Sequence, residues 1–229
     1  MKTIIIKLSG ELFSNKSALK NFTKQLKIIT SQRQAGLKVG LVVGGGNFFR
    51  GEPDGKNLEI SSITAHSIGM LATIVNGMML KDLLARENIS CELLSAFDCP
   101  TVAQPATQQT IDKAFIKNKC VIFVGGTGNP FFTTDTNAVL RALQTNADEI
   151  WKATKVDGIY NSDPITNKQA KRYSTITYQQ ALEEKLGFMD RTALVLAQEN
   201  DLTIKVFAML AKDAFLKTLE NEDYASKLR

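Results

Sequence analysis

Three consecutive glycines, Gly44-Gly45-Gly46, stand directly behind the aliphatic run Leu41-Val42-Val43. No other junction constrains the fold as much. A continuous β-branched run reads as a strand buried on both faces, and glycines at its end free the backbone to bring its amides together. The pattern recurs along the chain. Apolar runs predict strands at Thr3–Leu8, Lys38–Val43, Cys91–Ser95, Cys120–Val124, Glu149–Ala153 and Thr203–Phe207. Helical spacing lies between them, at Ser17–Ala35, Ala65–Arg86, Thr107–Asn118, Thr136–Thr145, Tyr178–Glu184, Thr192–Asn200 and Ala211–Leu219. Alternating strands and helices imply an α/β fold, a three-layer α/β/α sandwich with a mostly parallel central sheet. In the long helix, Ile68, Leu71, Ala72, Val75, Met79 and Leu83 form one stripe expected to face the core. Met70, Met78 and Met79 are read as core filling rather than a pliable binding face.

The 229 residues suit a single domain spanning 1–229. The polar, turn-rich stretch Tyr160–Tyr173 reads as a separation between its two halves, taken as an N-terminal lobe of about residues 1–150 and a C-terminal lobe of about 151–229.

Several classes are excluded. The net charge of +5 is scattered and forms no concentrated basic face, so it suits anionic small molecules rather than nucleic acid. No uninterrupted apolar run reaches ~18 residues, so no membrane span is expected. The opening Met1-Lys2-Thr3-Ile4-Ile5-Ile6-Lys7 is too short and charged for a secretory leader, so a cytoplasmic protein is expected. Cys91, Cys99 and Cys120 make no Cys-x-x-Cys pair and read as reduced thiols. His66 is the only histidine, which excludes a histidine-based zinc site and a Ser-His-Asp triad elsewhere.

In a parallel sheet, ligands sit beyond the carboxyl ends of the strands, so the loops there carry the chemistry. At the end of the first strand, Lys7 offers a cation and Ser9-Gly10 a hydroxyl and an open amide, a set that fits phosphate oxygens. Alone, Lys7 reads as a solvated strand end. The glycine run with Arg50 adds converging amides and a planar guanidinium, yet matches neither Gly-x-Gly-x-x-Gly nor a P-loop. After Cys120–Val124 comes Gly125-Gly126-Thr127-Gly128-Asn129-Pro130-Phe131-Phe132-Thr133-Thr134-Asp135, with hydroxyls at a helix mouth that cap the helix or bind an anion. In the fourth loop, Lys155 is within reach of a triphosphate and Tyr160 of a purine. Four such loops on one sheet edge describe a crevice for two phosphate-bearing ligands, and phosphoryl transfer asks mainly for alignment and cations.

On these residues the chain resembles the bacterial UMP kinases of the amino acid kinase superfamily. The matching stretches are Lys7-Leu8-Ser9-Gly10-Glu11, Val43 to Gly51, Gly69-Met70-Leu71-Ala72-Thr73, Gly126 to Asp135, Ala153 to Tyr160, Met189-Asp190 and Val206-Phe207. The resemblance implies ATP and UMP as substrates, Mg2+, a homohexamer, and GTP and UTP as effectors. It would place Lys7, Leu8, Ser9, Gly10, Gly46 and Arg50 on ATP phosphates, and Thr154, Tyr160 and Asp163 at adenosine; Lys155 joins this set from its own loop. Gly45 and Thr127, Gly128, Asn129, Pro130, Phe131, Phe132, Thr133 and Thr134 would hold UMP. Lys7, Asp135 and Asp190 would be catalytic, and Mg2+ would be carried by nucleotide phosphates.

There are two departures. His66 stands where the resemblance expects an aspartate gripping the ribose of UMP, and a neutral imidazole accepts only one hydrogen bond. Ala208 replaces an expected asparagine, and Glu222-Asp223-Tyr224-Ala225-Ser226 lacks an expected Gly-Thr, which bears on assembly and regulation. The rival readings are a catalytically altered paralogue that binds nucleotide or anion, and a superfamily kinase with another acceptor.

Overall fold

We describe residues 2–31 and 36–229 of a computed structural model of the chain. Its strands are β1 (Thr3–Leu8), β2 (Lys38–Val43), β3 (Cys91–Ser95), β4 (Gln104–Pro105), β5 (Cys120–Val124), β6 (Glu149–Thr154), β7 (Ile159–Tyr160), β8 (Arg172–Tyr173), β9 (Thr175–Ile176), β10 (Thr203–Ala208) and β11 (Ser226–Leu228). Its helices are α1 (Lys16–Ser31), α2 (Glu52–Asn57), α3 (Ser62–Arg86), α4 (Gln108–Ile116), α5 (Thr134–Gln144), α6 (Tyr178–Glu183), α7 (Arg191–Gln198) and α8 (Ala214–Glu220). The helix expected at Ser17–Ala35 is observed to Ser31, and its expected end at 32–35 lies outside the described residues.

One sheet runs in the order β4-β3-β5-β2-β1-β6-β10-β11-β9, and β7-β8 pair separately. All its pairings are parallel except β10 with β11. Side chains alternate across it, so each face has its own core. Ile4, Ile6 and Leu8 point into one, with Phe22 and Leu26 of α1 and Phe215 of α8. Ile5 and Val42 point into the other, with Ala138 and Val139 of α5 and Leu194 of α7. This is the expected three-layer α/β/α arrangement.

Helix α3 departs from the expected orientation. Leu71, Val75 and Met79 of the expected core stripe are exposed, and so is Met78; Ala72 and Met70 are buried. The face turned to the sheet carries Ala65, Thr73, Ile74, Asn76, Gly77, Leu80 and Leu84. The helix is apolar nearly all round, so hydrophobic spacing alone selects no face. Close approach selects it: a Cβ on Gly77 would stand 2.3 Å from Val124 and 2.9 Å from Leu93. By length and composition α3 is the one described helix able to cross a membrane, but here it packs on β3 and β5.

Candidate active site

The carboxyl ends of β2, β1, β6 and β5 open onto one edge of the sheet, and α3 holds two of their loops. Asn76, fully buried, donates its amide to Gly44 O at 2.7 Å, and Thr73 Oγ1 accepts from Gly125 N at 2.7 Å. Two glycines permit the loops to meet. A Cβ on Gly10 would stand 2.5 Å from Gly46 N, and one on Gly45 would stand 2.6 Å from Gly69 O. The loop after β5 takes left-handed backbone at Gly125, Gly126 and Gly128, and also at Phe131, where φ is 70°. A phenylalanine there is strained, a feature that clusters at ligand-binding sites.

The loop ends at α5, whose N-cap is Thr133, its hydroxyl accepting from Asp135 N at 3.0 Å. Asp135 in the first helical turn is the focus of the site. One of its oxygens lies 3.0 Å from Lys7 Nζ of β1 and the other 2.6 Å from Lys152 Nζ of β6. Lys7 and Lys152 are register partners on adjacent strands. Like charges so placed repel, and the carboxylate between them makes the pair tenable. Burial opposes ionisation of Asp135, yet the two lysines hold its carboxyl below its usual value. Burial also pushes the Lys152 ammonium down to about 8, against the pull of Asp135. Lys152 had no role in the sequence reading, because Lys7 and Asp135 are brought beside it only in space.

Asp190, N-cap of α7, accepts from Ala193 N at 2.9 Å, from Thr133 Oγ1 at 2.5 Å and from Thr136 Oγ1 at 3.1 Å. It therefore ties α7 to the start of α5. Thr136 is a second residue that sequence reasoning passed over.

Three cavities flank this centre. On one side, a cavity of about 420 Å³ is lined by Gly45, Gly46, Arg50, His66, Phe132, Thr133 and Thr134, among others. Gly46 and Arg50, expected with the ATP phosphates, thus sit with the residues expected for UMP. The cause is strand order: β2 lies between β1 and β5, and its loop turns toward that of β5. On the other side, about 310 Å³ is lined by Lys7, Ser9, Glu11, Lys152, Thr154 and Lys155, among others. It meets, at Val156, a third cavity of about 390 Å³ that includes Tyr160, Asp163, Leu186 and Phe188. Thr154 lies on the Lys7 side, its hydroxyl donating to Val156 O at 2.7 Å. The side chain of Leu8 is buried in the core and offers the site only backbone, and Gly10 is likewise buried. Thr127 and Asn129 line a separate groove between α5 and α7, which shares Phe132 with the Arg50 cavity.

Glu11 spans the two sides, 2.5 Å from Lys155 and 3.5 Å from Arg50. The Lys155 hydrogen bond, aided by the charges of Lys155 and Arg50, lowers its carboxyl pKa. His66 lies in the second turn of α3, past the first turn where a helix dipole acts most strongly. Its ring centroid lies 4.9 Å from that of Phe131, the two planes tilted by 57°. Among the described residues no three His, Cys, Asp or Glu side chains converge as a metal cage.

Residues 2–208 match the amino acid kinase family. The uridylate kinase of Acinetobacter baylyi is 40% identical over 223 residues, covering 96% of this chain and 92% of that one. Among solved structures, the UMP kinase from Ureaplasma parvum superposes with a TM-score of 0.91 at 35% identity, over 99% of this chain and 98% of its own. The UMP kinase from Bacillus anthracis gives 0.92 at 31% identity, over 100% and 96%.

Proposed function

The chain belongs to the amino acid kinase family, and from that premise we propose that it transfers the γ-phosphoryl group of ATP to UMP, giving ADP and UDP for pyrimidine nucleotide synthesis. One observation carries the reading: Lys7 and Lys152, both paired with Asp135 in the first turn of α5, line one cavity, and Thr133 and Thr134, just before Asp135, line another. UMP takes the Arg50–His66 cavity, over the half of the chain before about residue 150. The ATP phosphates take the Lys7–Lys155 cavity, which both halves line, and adenosine the Tyr160 cavity, over the half that follows.

In this reading an oxygen of the UMP phosphate forms the new bond to the γ-phosphorus as the bond to the ADP oxygen breaks. Negative charge spreads over the migrating group, and Lys7 with the α5 N-terminus meets it. The acceptor is already an anion, so no general base is needed. Asp135 serves instead to hold Lys7 and Lys152, and Asp190 holds the Thr133 end of the acceptor loop. Mg2+, carried by the nucleotide phosphates, would screen their charge and help orient the triphosphate. A donor set without a carboxylate cage fits that mode, since the two inner carboxylates are already engaged.

We extend the proposal to a homo-oligomer, a hexamer by resemblance, acting in the cytoplasm. The exposed Leu71, Val75, Met78 and Met79 face of α3 supports the first, as apolar stripes of this kind mark interfaces. Cys91, Cys99 and Cys120, no two of them at a Cys-x-x-Cys spacing, suit a reducing compartment. GTP and UTP belong to the proposal as effectors, read as changes in rate when each is added. The central test is ADP release with UMP, CMP, dUMP or no acceptor. A rate with UMP no higher than the blank removes the proposal, and tight ATP or UMP binding without turnover points to a nucleotide-binding paralogue.

A further inference from the structure

The hairpin that carries Tyr160 is not part of the large sheet. Strands β7 and β8 pair only with each other, between β6 on one side in chain and β9 on the other, and β9 pairs with β11 alone. Strand β11 lies between β10 and β9, so residues 226–228 tie the segment that follows the hairpin into the sheet. These residues lie beyond the stretch that matches the family.

Arg172 makes the connection at side-chain level. Its guanidinium donates to Asp157 O at 3.1 Å and to Tyr224 O at 2.9 Å, and stands 3.8 Å from the Asp157 carboxylate. That carboxylate accepts the Tyr160 hydroxyl at 2.6 Å. Gly158, between them, lies hard against the same partners: a Cβ there would stand 2.2 Å from Ser226 Oγ and 2.4 Å from Arg172 Nε. Ser226 Oγ donates to Tyr173 O, and Lys227 N donates to Ser174 O at 2.9 Å. The strand itself is anchored by Glu222, 3.1 Å from Lys205 and 2.8 Å from Lys227.

We propose that Arg172, braced by the Tyr224 carbonyl, is a positioning residue for the donor nucleotide, setting the Asp157–Tyr160 loop against which the base of ATP lies. The inference rests on the donor-site reading above. It assigns a role to the segment whose sequence departs from the resemblance. A loop held by carbonyl contacts to a charged group is held firmly, because such hydrogen bonds are among the stronger ones.

Steady-state kinetics with each substrate varied in turn test this, on the full chain carrying Arg172→Ala, Arg172→Lys or Tyr160→Ala. Arg172→Ala should raise KM for ATP about tenfold and leave KM for UMP and kcat within about twofold, the size expected for losing two charge-assisted hydrogen bonds that order a loop. Arg172→Lys, which keeps one donor in reach, should restore most of the ATP affinity. A merely structural arginine would lower thermal stability and disturb both substrates alike, without rescue by lysine, and that result overturns the proposal. An unchanged KM for ATP in Arg172→Ala, beside a raised one in Tyr160→Ala, also overturns it while the donor site stands. If neither variant shifts KM for ATP, the donor-site reading falls, and the proposal with it.

Discussion

Replacing Lys152 by arginine separates charge from geometry at the reaction centre. Lys152 Nζ lies 2.6 Å from Asp135 while Lys7 lies 3.0 Å from the same carboxylate, and Asp190 contributes a further attraction to Lys152. Burial brings the Lys152 ammonium from 10.5 to about 8. That displacement corresponds to about 3 kcal/mol of disfavoured ionisation. As pH rises past about 8, folded Lys152 loses its proton and Asp135 is left with Lys7 alone. Lys7 is then drawn toward Asp135 and away from the migrating phosphoryl group. The expected kcat profile therefore falls on its alkaline side with an apparent pKa of about 8. Arginine stays charged throughout, so Lys152→Arg should move that limb upward by at least about one pH unit. Lys152→Met, uncharged at every pH, should lower kcat about tenfold to hundredfold near neutrality, the equivalent of about 1.4 to 2.7 kcal/mol. Its profile should lose the limb. Stability runs in the opposite sense. A lysine with a depressed folded pKa leaves the unfolded chain binding more protons between about 8 and 10.5. Its contribution to stability therefore rises with pH through that window. The assay is ADP release at saturating substrates from about pH 6 to about pH 10, with thermal denaturation in the same buffers. A wild-type alkaline limb in Lys152→Arg, or wild-type turnover in Lys152→Met, would refute the reasoning.

Lys7→Ala should cut turnover by about 3 kcal/mol, more than a hundredfold, with a far smaller change in nucleotide affinity measured by calorimetry; equal turnover would remove Lys7 from the mechanism. His66→Asp should keep kcat close to wild type and leave UMP affinity equal or improved, read from KM for UMP. A large loss in both would mean that the His66–Phe131 ring contact has a role of its own. Val75→Glu places a charge on the outward face of α3 and should shift the protein to smaller assemblies in sedimentation. An unaltered sedimentation profile would move the interface elsewhere.

The six long strands were legible to within a residue because strands covered on both faces are written as unbroken aliphatic runs. The short ones were not. β7, β8, β9 and β11 are two or three residues each, and contacts such as Arg172 to Tyr224 hold them, which no local pattern announces. The 3-10 turn at Gly10–Ser14 and α2 also escaped notice, each too short for periodicity to register. For α3 the spacing was clear and the face was wrong, since small residues such as Gly77, rather than large ones, mark where a helix comes closest to a sheet. At the site, Lys7, Asp135 and Asp190 were found from loop position and motif, and the structure brings Lys7 to Asp135. Lys152 was not, because its partner is seventeen residues away in chain and adjacent only in space.

The alternation along β1 has one more consequence. Lys7 shares its side of the strand with Ile5, while Ile4, Ile6 and Leu8 share the other. A slip of a single residue in the pairing of β1 would turn the ammonium away from its carboxylate and, in the same movement, send three aliphatic side chains into the wrong layer. A misthreaded chain would therefore be inert as well as ill-packed, and turnover itself becomes a gauge of whether the innermost strand has been laid down in step.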